Sequence, residues 1–231
     1  MSLSTILNRV VDSIGLPRPS SYVGNSDDTA RQLLALANEE GQELANRYRW
    51  QKLIKEASFT STATTTQGTI TTIATGYSYI VNDTIWNRDN FRPVYGSLSP
   101  PRWQKLRASN VTGPYPEYRI RDDYLLFIPS PGSGDDYFFE YVSKNWEVGA
   151  SSTASDAWSN DSSTTVLDER LIELGIRWRF LRAKGMDYQE EYRLYQDRVA
   201  DATTRDGGKT TLNLGRPEMR YPSYPEGSWN L

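Results

Sequence analysis

Apolar residues recur at helical spacing over the first fifty positions of the chain. In residues 4–14 they fall at every third or fourth position, and Gly15 and Pro17 then interrupt the pattern. Residues 27–50 repeat the spacing over a longer run. The N-terminal part therefore predicts two helices joined by a loop. The apolar stripe of the second predicted helix consists of Leu33, Ala37, Gly41, Leu44 and Tyr48.

Gly41 is an unusual member of that stripe. A glycine inside a helix costs about 1 kcal/mol relative to alanine. Its position predicts that another helix or a neighbouring subunit approaches closely there, and a merely tolerated glycine is the alternative.

From residue 55 the pattern changes from helical spacing to alternation. The segment 55–148 is rich in threonine and in alternating or continuous apolar runs, such as "PEYRIRDDYLLFIPSP" and "DDYFFEYVSKNWEV". Clusters such as "SPPRW", "TGPYP" and "PSPGSGDD" separate these runs. This pattern is typical of strands joined by turns and predicts an antiparallel β module. The following stretch, "EVGASSTASDAWSNDSS", reads as a polar loop.

Helical spacing returns after residue 165. Thr165 and Asp168 have the spacing of a capping box, Gly185 predicts a helix end, and Asp187 predicts the cap of a second helix. The two helices form a predicted hairpin on which the helix of residues 27–50 packs. The apolar positions of the hairpin are Leu167, Leu171, Leu174, Trp178 and Leu181 in its first helix and Tyr188, Tyr192, Tyr195 and Val199 in its second.

These patterns predict an α+β fold: a helical bundle with an inserted antiparallel β module and an extended C-terminal tail. The predicted divisions are 1–54 and 151–206 for the two parts of the bundle, 55–150 for the β module and 207–231 for the tail. Trp50 and Trp178 are expected to be core or inter-helix anchors.

The amino-acid composition limits which catalytic groups and metal sites the chain can have. The chain has 231 residues, no histidine, no cysteine and a net charge of −3. Imidazole bases, thiol nucleophiles, disulfides and the usual zinc sites are therefore excluded. No run approaches the roughly 20 apolar residues of a membrane span. We expect no catalytic residue, cofactor or metal.

The stretch "TTRDGGKTTLNLG" contains Gly208-Lys209-Thr210, part of a phosphate-binding loop. Such a loop needs a glycine where Thr203 stands, and it must follow a strand rather than a helix. The two glycines, Gly207 and Gly208, are instead expected to end a helix and begin a linker.

The tail combines prolines, aromatic residues and arginines, with too little apolar surface to fold alone. It is predicted to be mobile in the monomer and ordered in an assembly, where its aromatic side chains fill pockets and its arginines pair with acidic groups. The predicted partner-binding residues are Arg216, Arg220, Tyr221, Tyr224 and Trp229.

Several stretches in order resemble head-to-tail adaptor proteins of short-tailed bacteriophages, the tail tubular protein A and tail accessory factor type. They are "LLALANEEGQELANRYRWQKL", "FRPVYGSLSPPRWQKL", "RIRDDYLLFIPSPGSGDDYFFEYVSKNW" and "LDERLIELGIRWRFLRAKGMDYQEEYRLYQ". The block "RWRFLRAKGMDY" is the most specific of them. The similarity extends to about residue 202.

The resemblance implies a non-enzymatic virion protein of the neck, assembled in the host cytoplasm. Its copies would form a ring, usually twelvefold, beneath the portal protein. The ring would extend the DNA channel, let DNA pass without specific binding, and present a platform for a tail nozzle or tail-tube protein. An acidic chain suits such a passage because phosphate repels carboxylate. No membrane contact is implied.

Three alternatives stay open at this point. One is another connector or tail-tube component. A second is a carbohydrate-active or carbohydrate-binding module, on the basis of the adjacent carboxylates Asp122-Asp123 and Asp135-Asp136. A third is a nucleic-acid-binding protein with positive charge at one helix end. The residues that carry this charge are Arg177, Arg179, Arg182 and Lys184.

Overall fold

The computed structural model describes residues 1–109, 113, 115–149 and 152–207. These residues form a mixed α+β structure, which confirms the predicted fold class. Their six helices are α1 Leu3–Ile14, α2 Asp28–Arg47, α3 Ile70–Ile73, α4 Pro100–Ser109, α5 Glu169–Ala183 and α6 Gln189–Asp206, with a 3-10 turn at Gln51–Leu53. The predicted divisions of the chain into four segments stay predictions.

The strands pair as three small antiparallel sheets. In chain order they are β1 Ile54–Thr60, β2 Thr66–Thr69, β3 Tyr77–Ile80, β4 Trp86–Asn87, β5 Arg92–Pro93, β6 Glu117–Arg121, β7 Tyr124–Ile128, β8 Asp136–Ser143, β9 Glu147–Val148, β10 Ala154–Ser155 and β11 Thr164–Thr165. In the largest sheet β8 is central, with β1 along one edge and β3 and β4 in succession along the other.

Helix α5 is the centre of the bundle. It contacts α1, α2 and α6, and it buries residues on nearly all of its faces. A helix that is apolar around most of its circumference must be surrounded by other elements. The predicted packing of the helix of residues 27–50 on the hairpin is therefore confirmed, as is the burial of Trp50 and Trp178.

Local sequence signals explain several helix boundaries. Asp27 caps α2 by accepting a hydrogen bond from the amide of Ala30 at 3.0 Å. Gly15 and Gly185 follow the ends of α1 and α5 with positive φ, the left-handed conformation that favours glycine. These boundaries are the predicted ones.

Other boundaries differ from prediction. Helix α2 ends at Arg47 rather than residue 50, because the indole of Trp50 turns back and donates to the carbonyl of Leu44 at 2.7 Å. The predicted capping box is wrong: Asp168 itself caps α5 through the amide of Arg170, and Thr165 belongs to β11.

Two helix ends near the C-terminus also differ in detail. Asp187 accepts from the amide of Gln189 at 3.1 Å, but α6 begins one residue later than expected. Gly207 was expected to end α6 by adopting a conformation that other residues avoid. Its backbone is instead right-handed helical (φ −85°), which any residue can adopt. Gly207 is placed against the hydroxyl of Tyr48, where a Cβ atom would collide.

The β module contains a helix that the sequence pattern assigned to a turn. The "SPPRW" cluster begins α4, because prolines fit the first turn of a helix, whose amides have no partner within the helix. Trp103 of α4 packs with Leu126 and Ile128 on one face of β7, and Leu125 and Phe127 pack on the other face. Strand β7 is thus buried on both sides, which explains its continuous apolar sequence.

The predicted polar loop after β8 is also wrong. Its strands β9 and β10 form a sheet with β11, which follows it, and it buries Trp158, which packs edge-to-face on Trp146 at 5.1 Å between ring centres. The indole of Trp146 lies directly against Gly41, where a Cβ atom would overlap it. The close approach at Gly41 is therefore made by this tryptophan, not by another helix or subunit.

Candidate assembly surfaces

A buried ion cluster joins α2 to α5. The guanidinium of Arg179, only 3% exposed, donates to Glu40 at 2.8 Å, to Glu39 at 2.8 Å and to Glu43 at 2.6 Å. Glu40 is fully buried, whereas Glu39 and Glu43 are about half exposed. Gly175 on α5 makes room for the carboxylate of Glu40, which would overlap any Cβ atom there. The cluster therefore fixes the position of α5 relative to α2.

Burial sets the protonation behaviour of this cluster. Desolvation raises the pKa of Glu40 from 4.5 to about 7, although the hydrogen bond from Arg179 lowers it. Desolvation also raises the pKa of the Tyr195 hydroxyl, together with the nearby Glu40 charge. Glu40 therefore changes charge near neutral pH.

We expect Glu40 to weaken the fold as pH rises. Because its pKa is higher in the folded state, the contribution of its protonated form to stability is complete below about pH 4.5 and is lost as the pH rises through about 7. The free energy of unfolding of the wild type, relative to Glu40→Gln, should fall by about 3 kcal/mol between pH 4.5 and 8. Urea unfolding across this range measures it, and a pH-independent difference would contradict it.

Only part of the positive charge predicted at the C-terminal end of α5 is exposed. Arg179 is buried in the ion cluster, and Arg177 pairs with Glu191 at 2.8 Å. The guanidinium of Arg182 lies 4.9 Å from the ring centre of Trp178. Arg177 and Arg179 both have acidic partners on neighbouring helices, so two of the four charges behind the nucleic-acid-binding alternative are neutralised within the bundle.

The α5–α6 hairpin carries three exposed large apolar side chains, one in the turn and two on α6, which we call the hairpin patch. It consists of Met186, Tyr192 and Leu194, which are 52%, 41% and 42% exposed. Tyr192 also packs edge-to-face on Trp178 at 5.0 Å, so its ring is held in place by the bundle. Large apolar side chains on a rigid support are typical of contact surfaces.

A second exposed side chain lies at the far end of the β module. Phe91, in the β4–β5 turn, is 75% exposed and has a positive φ of 50°. Asn87 of β4 pairs with Tyr137, at the opposite end of β8 from Trp146, which packs on the bundle. Given about 3.3 Å per residue along a strand, β8 separates Phe91 from the bundle by roughly 20 Å.

The adjacent carboxylates have structural roles. Asp122 and Asp123 form the β6–β7 turn with positive φ, and Asp123 accepts from the hydroxyl of Thr71 at 2.5 Å. Asp135 accepts from the amide side chains of Asn87 and Asn90, at 2.9 Å each. These contacts explain why carboxylates stand at those turns without any acid–base chemistry.

The predicted partner-binding residues lie outside the described residues: Arg216, Arg220, Tyr221, Tyr224 and Trp229. The same holds for Gly208, Lys209 and Thr210. In the part of the chain that the structure describes, no group of three or more acidic side chains could hold a metal ion. No described helix has both the length and the apolar character to cross a bilayer.

Neither the role of Glu40 nor the hairpin patch was predicted from the sequence. A signal for Glu40 was present, because it stands three residues after Ala37 and four before Leu44, on the apolar stripe of α2. A charged residue on a buried stripe requires a partner. The exposure of Met186 and Leu194 has no such sequence signal.

Comparison with known families identifies the chain. The SU10 adaptor protein family matches residues 1–215, almost the whole length, so the chain belongs to this family of phage head-to-tail adaptors. None of the curated proteins compared with the chain matches it. Family membership confirms the resemblance and gives the chain a structural role as a phage adaptor, in agreement with the expected non-enzymatic role.

Proposed function

We propose that copies of this adaptor form a closed ring beneath the portal protein. The ring extends the DNA channel out of the head and gives the tail nozzle or tail-tube protein a platform. DNA passes through it without specific binding, which a chain of net charge −3 favours. The ring becomes part of the neck of the virion.

The observation that carries this proposal is the presence of two unlike exposed apolar sites on different elements. Neighbours in a ring of identical copies meet head to tail, so each copy needs two different complementary faces. The hairpin patch on the bundle and Phe91 at the remote end of the β module are candidates for these faces. They lie on separate elements of the chain.

Light scattering on the purified chain, alone and mixed with the portal protein from the same genome, tests the proposal. We expect the purified chain to have the mass of a monomer, and the mixture to have the mass of a portal carrying a stoichiometric ring. A chain that stays monomeric and ignores the portal would favour the alternative of another connector or tail-tube position.

We expect the double substitution Tyr192→Ser, Leu194→Ser to prevent ring formation. It removes two apolar contacts, each worth about 2 kcal/mol if the patch is a hot spot, so copies should associate at least about 100-fold more weakly. Sedimentation of the portal mixture measures this. Arg193→Ser is the matched control, because it changes an exposed residue between the two. Ring formation by the double variant at wild-type concentrations would exclude the patch from the interface.

A further inference from the structure

A small groove opens where the described part of the chain ends. It has a volume of about 250 Å³, and residues of the last turns of α6, including Ala202 and Arg205, form one wall. Trp50, Val166 and Leu167 supply apolar atoms from the other elements. This volume is below the roughly 300–1,000 Å³ of small-molecule sites, so the groove suits one or two side chains.

Some of the charged side chains that line the groove already have partners among the other described residues. Arg198 pairs with Asp168 at 2.9 Å, and Asp206 accepts from the amide of Gln51 at 2.8 Å. Lys52 and Arg205 have no ion pair among the described residues. The groove therefore combines an apolar floor with a weakly basic rim, which suits an uncharged apolar segment better than a cationic one.

The chain that follows α6 has the matching sequence. In "TTLNLG", residues 210–215, Leu212 and Leu214 alternate with Thr211 and Asn213. In an extended segment such alternation places both leucines on one face and the polar residues on the other. Gly208, two residues before it, has the backbone freedom that a reversal of direction requires.

The family match gives an independent reason to separate this segment from the rest of the tail. The match extends through residue 215, eight residues beyond the last described one, and stops before Arg216. Residues 208–213 span up to roughly 20 Å when extended, enough to return along the last turns of α6.

We propose that residues 210–215 fold back into this groove of the same subunit, with Leu212 and Leu214 on its apolar floor. This docking limits the mobility predicted for residues 207–231 of the isolated chain to residues 216–231, and it fixes the point from which they leave the body. It does not depend on ring formation or on the portal protein.

Disulfide trapping in the isolated chain tests the proposal cleanly, since the chain has no cysteine of its own. The trapping pair is Lys52→Cys with Leu212→Cys, which leaves Leu214 in place. The control pair is Lys105→Cys, an exposed lysine on α4, with Leu212→Cys. We expect the trapping pair to form its disulfide at least about tenfold faster, because docking raises the effective concentration of the two thiols.

Two further variants separate docking from simple tethering. In the trapping pair, Leu214→Ser should reduce the rate at least about threefold, whereas Asn213→Ser on the polar face should leave it unchanged. Mixing isotopically light and heavy copies shows whether the link lies within one chain. Equal rates for the Leu214 and Asn213 variants would overturn the proposal. Links between light and heavy copies would overturn the assignment to the same subunit and identify a second copy as the occupant.

Discussion

Replacing Arg179 with methionine should lower the free energy of unfolding by about 3–5 kcal/mol at pH 8. The substitution leaves the fully buried carboxylate of Glu40 without its guanidinium partner. Methionine has a similar length and fills much of the vacated volume, so the loss reports the uncompensated charge more than a cavity. Chemical denaturation followed by tryptophan fluorescence measures the change.

The pH dependence of this loss identifies its cause. The pKa of Glu40 is already raised to about 7 by burial, and loss of Arg179 raises it further. At pH 5 the carboxyl group can take up a proton and avoid the buried charge. We therefore expect the destabilisation by Arg179→Met to be clearly smaller at pH 5 than at pH 8.

Arg193→Met is the matched control for this substitution. Arg193 also contacts two carboxylates, Glu190 and Asp197, but its side chain is 61% exposed. Exposed ion pairs contribute at most about 1 kcal/mol. The double variant Arg179→Met, Glu40→Gln should recover most of the lost stability, because no buried charge then remains. Equal losses for the two arginine variants would show that the α2–α5 ion cluster does not stabilise the bundle.

Local signals were sufficient to predict the helices of the bundle. Helix α1 could be located from its apolar spacing and from Gly15, since both act within a few residues of the chain. Helix α4 could not, because Pro100 and Pro101 are compatible with a turn and with the first turn of a helix. Only the packing of Trp103 on β7 decides between the two.

Contacts between distant parts of the chain explain the remaining differences. Arg179 and Glu40 are 139 residues apart, so the helical pattern of α5 alone suggests an exposed arginine. The partner of Gly41 is not another helix but Trp146, which lies between β8 and β9. In both cases the sequence indicates a special position, and only the tertiary packing identifies its partner.

The ion cluster and the hairpin patch together suggest a rigid assembly unit. Arg179 holds α5 against α2, while its neighbour Trp178 supports Tyr192 of the patch. A contact surface on a fixed support loses less conformational entropy on binding than one on a loop. Stability of the bundle and strength of the proposed subunit contact should therefore change together in variants of α5.

Deletion of residues 216–231 should weaken binding to the portal protein by about 100- to 1,000-fold without changing the fold. The deletion removes every predicted partner-binding residue, Arg216, Arg220, Tyr221, Tyr224 and Trp229, and keeps the residues that match the adaptor family. Buried aromatic anchors contribute about 2 kcal/mol or more each, and ordering an extended segment costs about 2–5 kcal/mol. A net loss of about 3–4 kcal/mol corresponds to this change in affinity.

Titration calorimetry with the portal protein gives the affinity, and the thermal midpoint of the isolated chain checks the fold. The full-length variant Tyr221→Ser, Tyr224→Ser, Trp229→Ser should reproduce most of the loss, because it keeps the length and prolines of the tail. The variant Arg216→Gln, Arg220→Gln should lose less affinity and bind with a weaker dependence on salt, since exposed charges are screened. Undiminished affinity of the shortened chain for the portal would place the portal contact on the folded body, and the hairpin patch would then be the next surface to test.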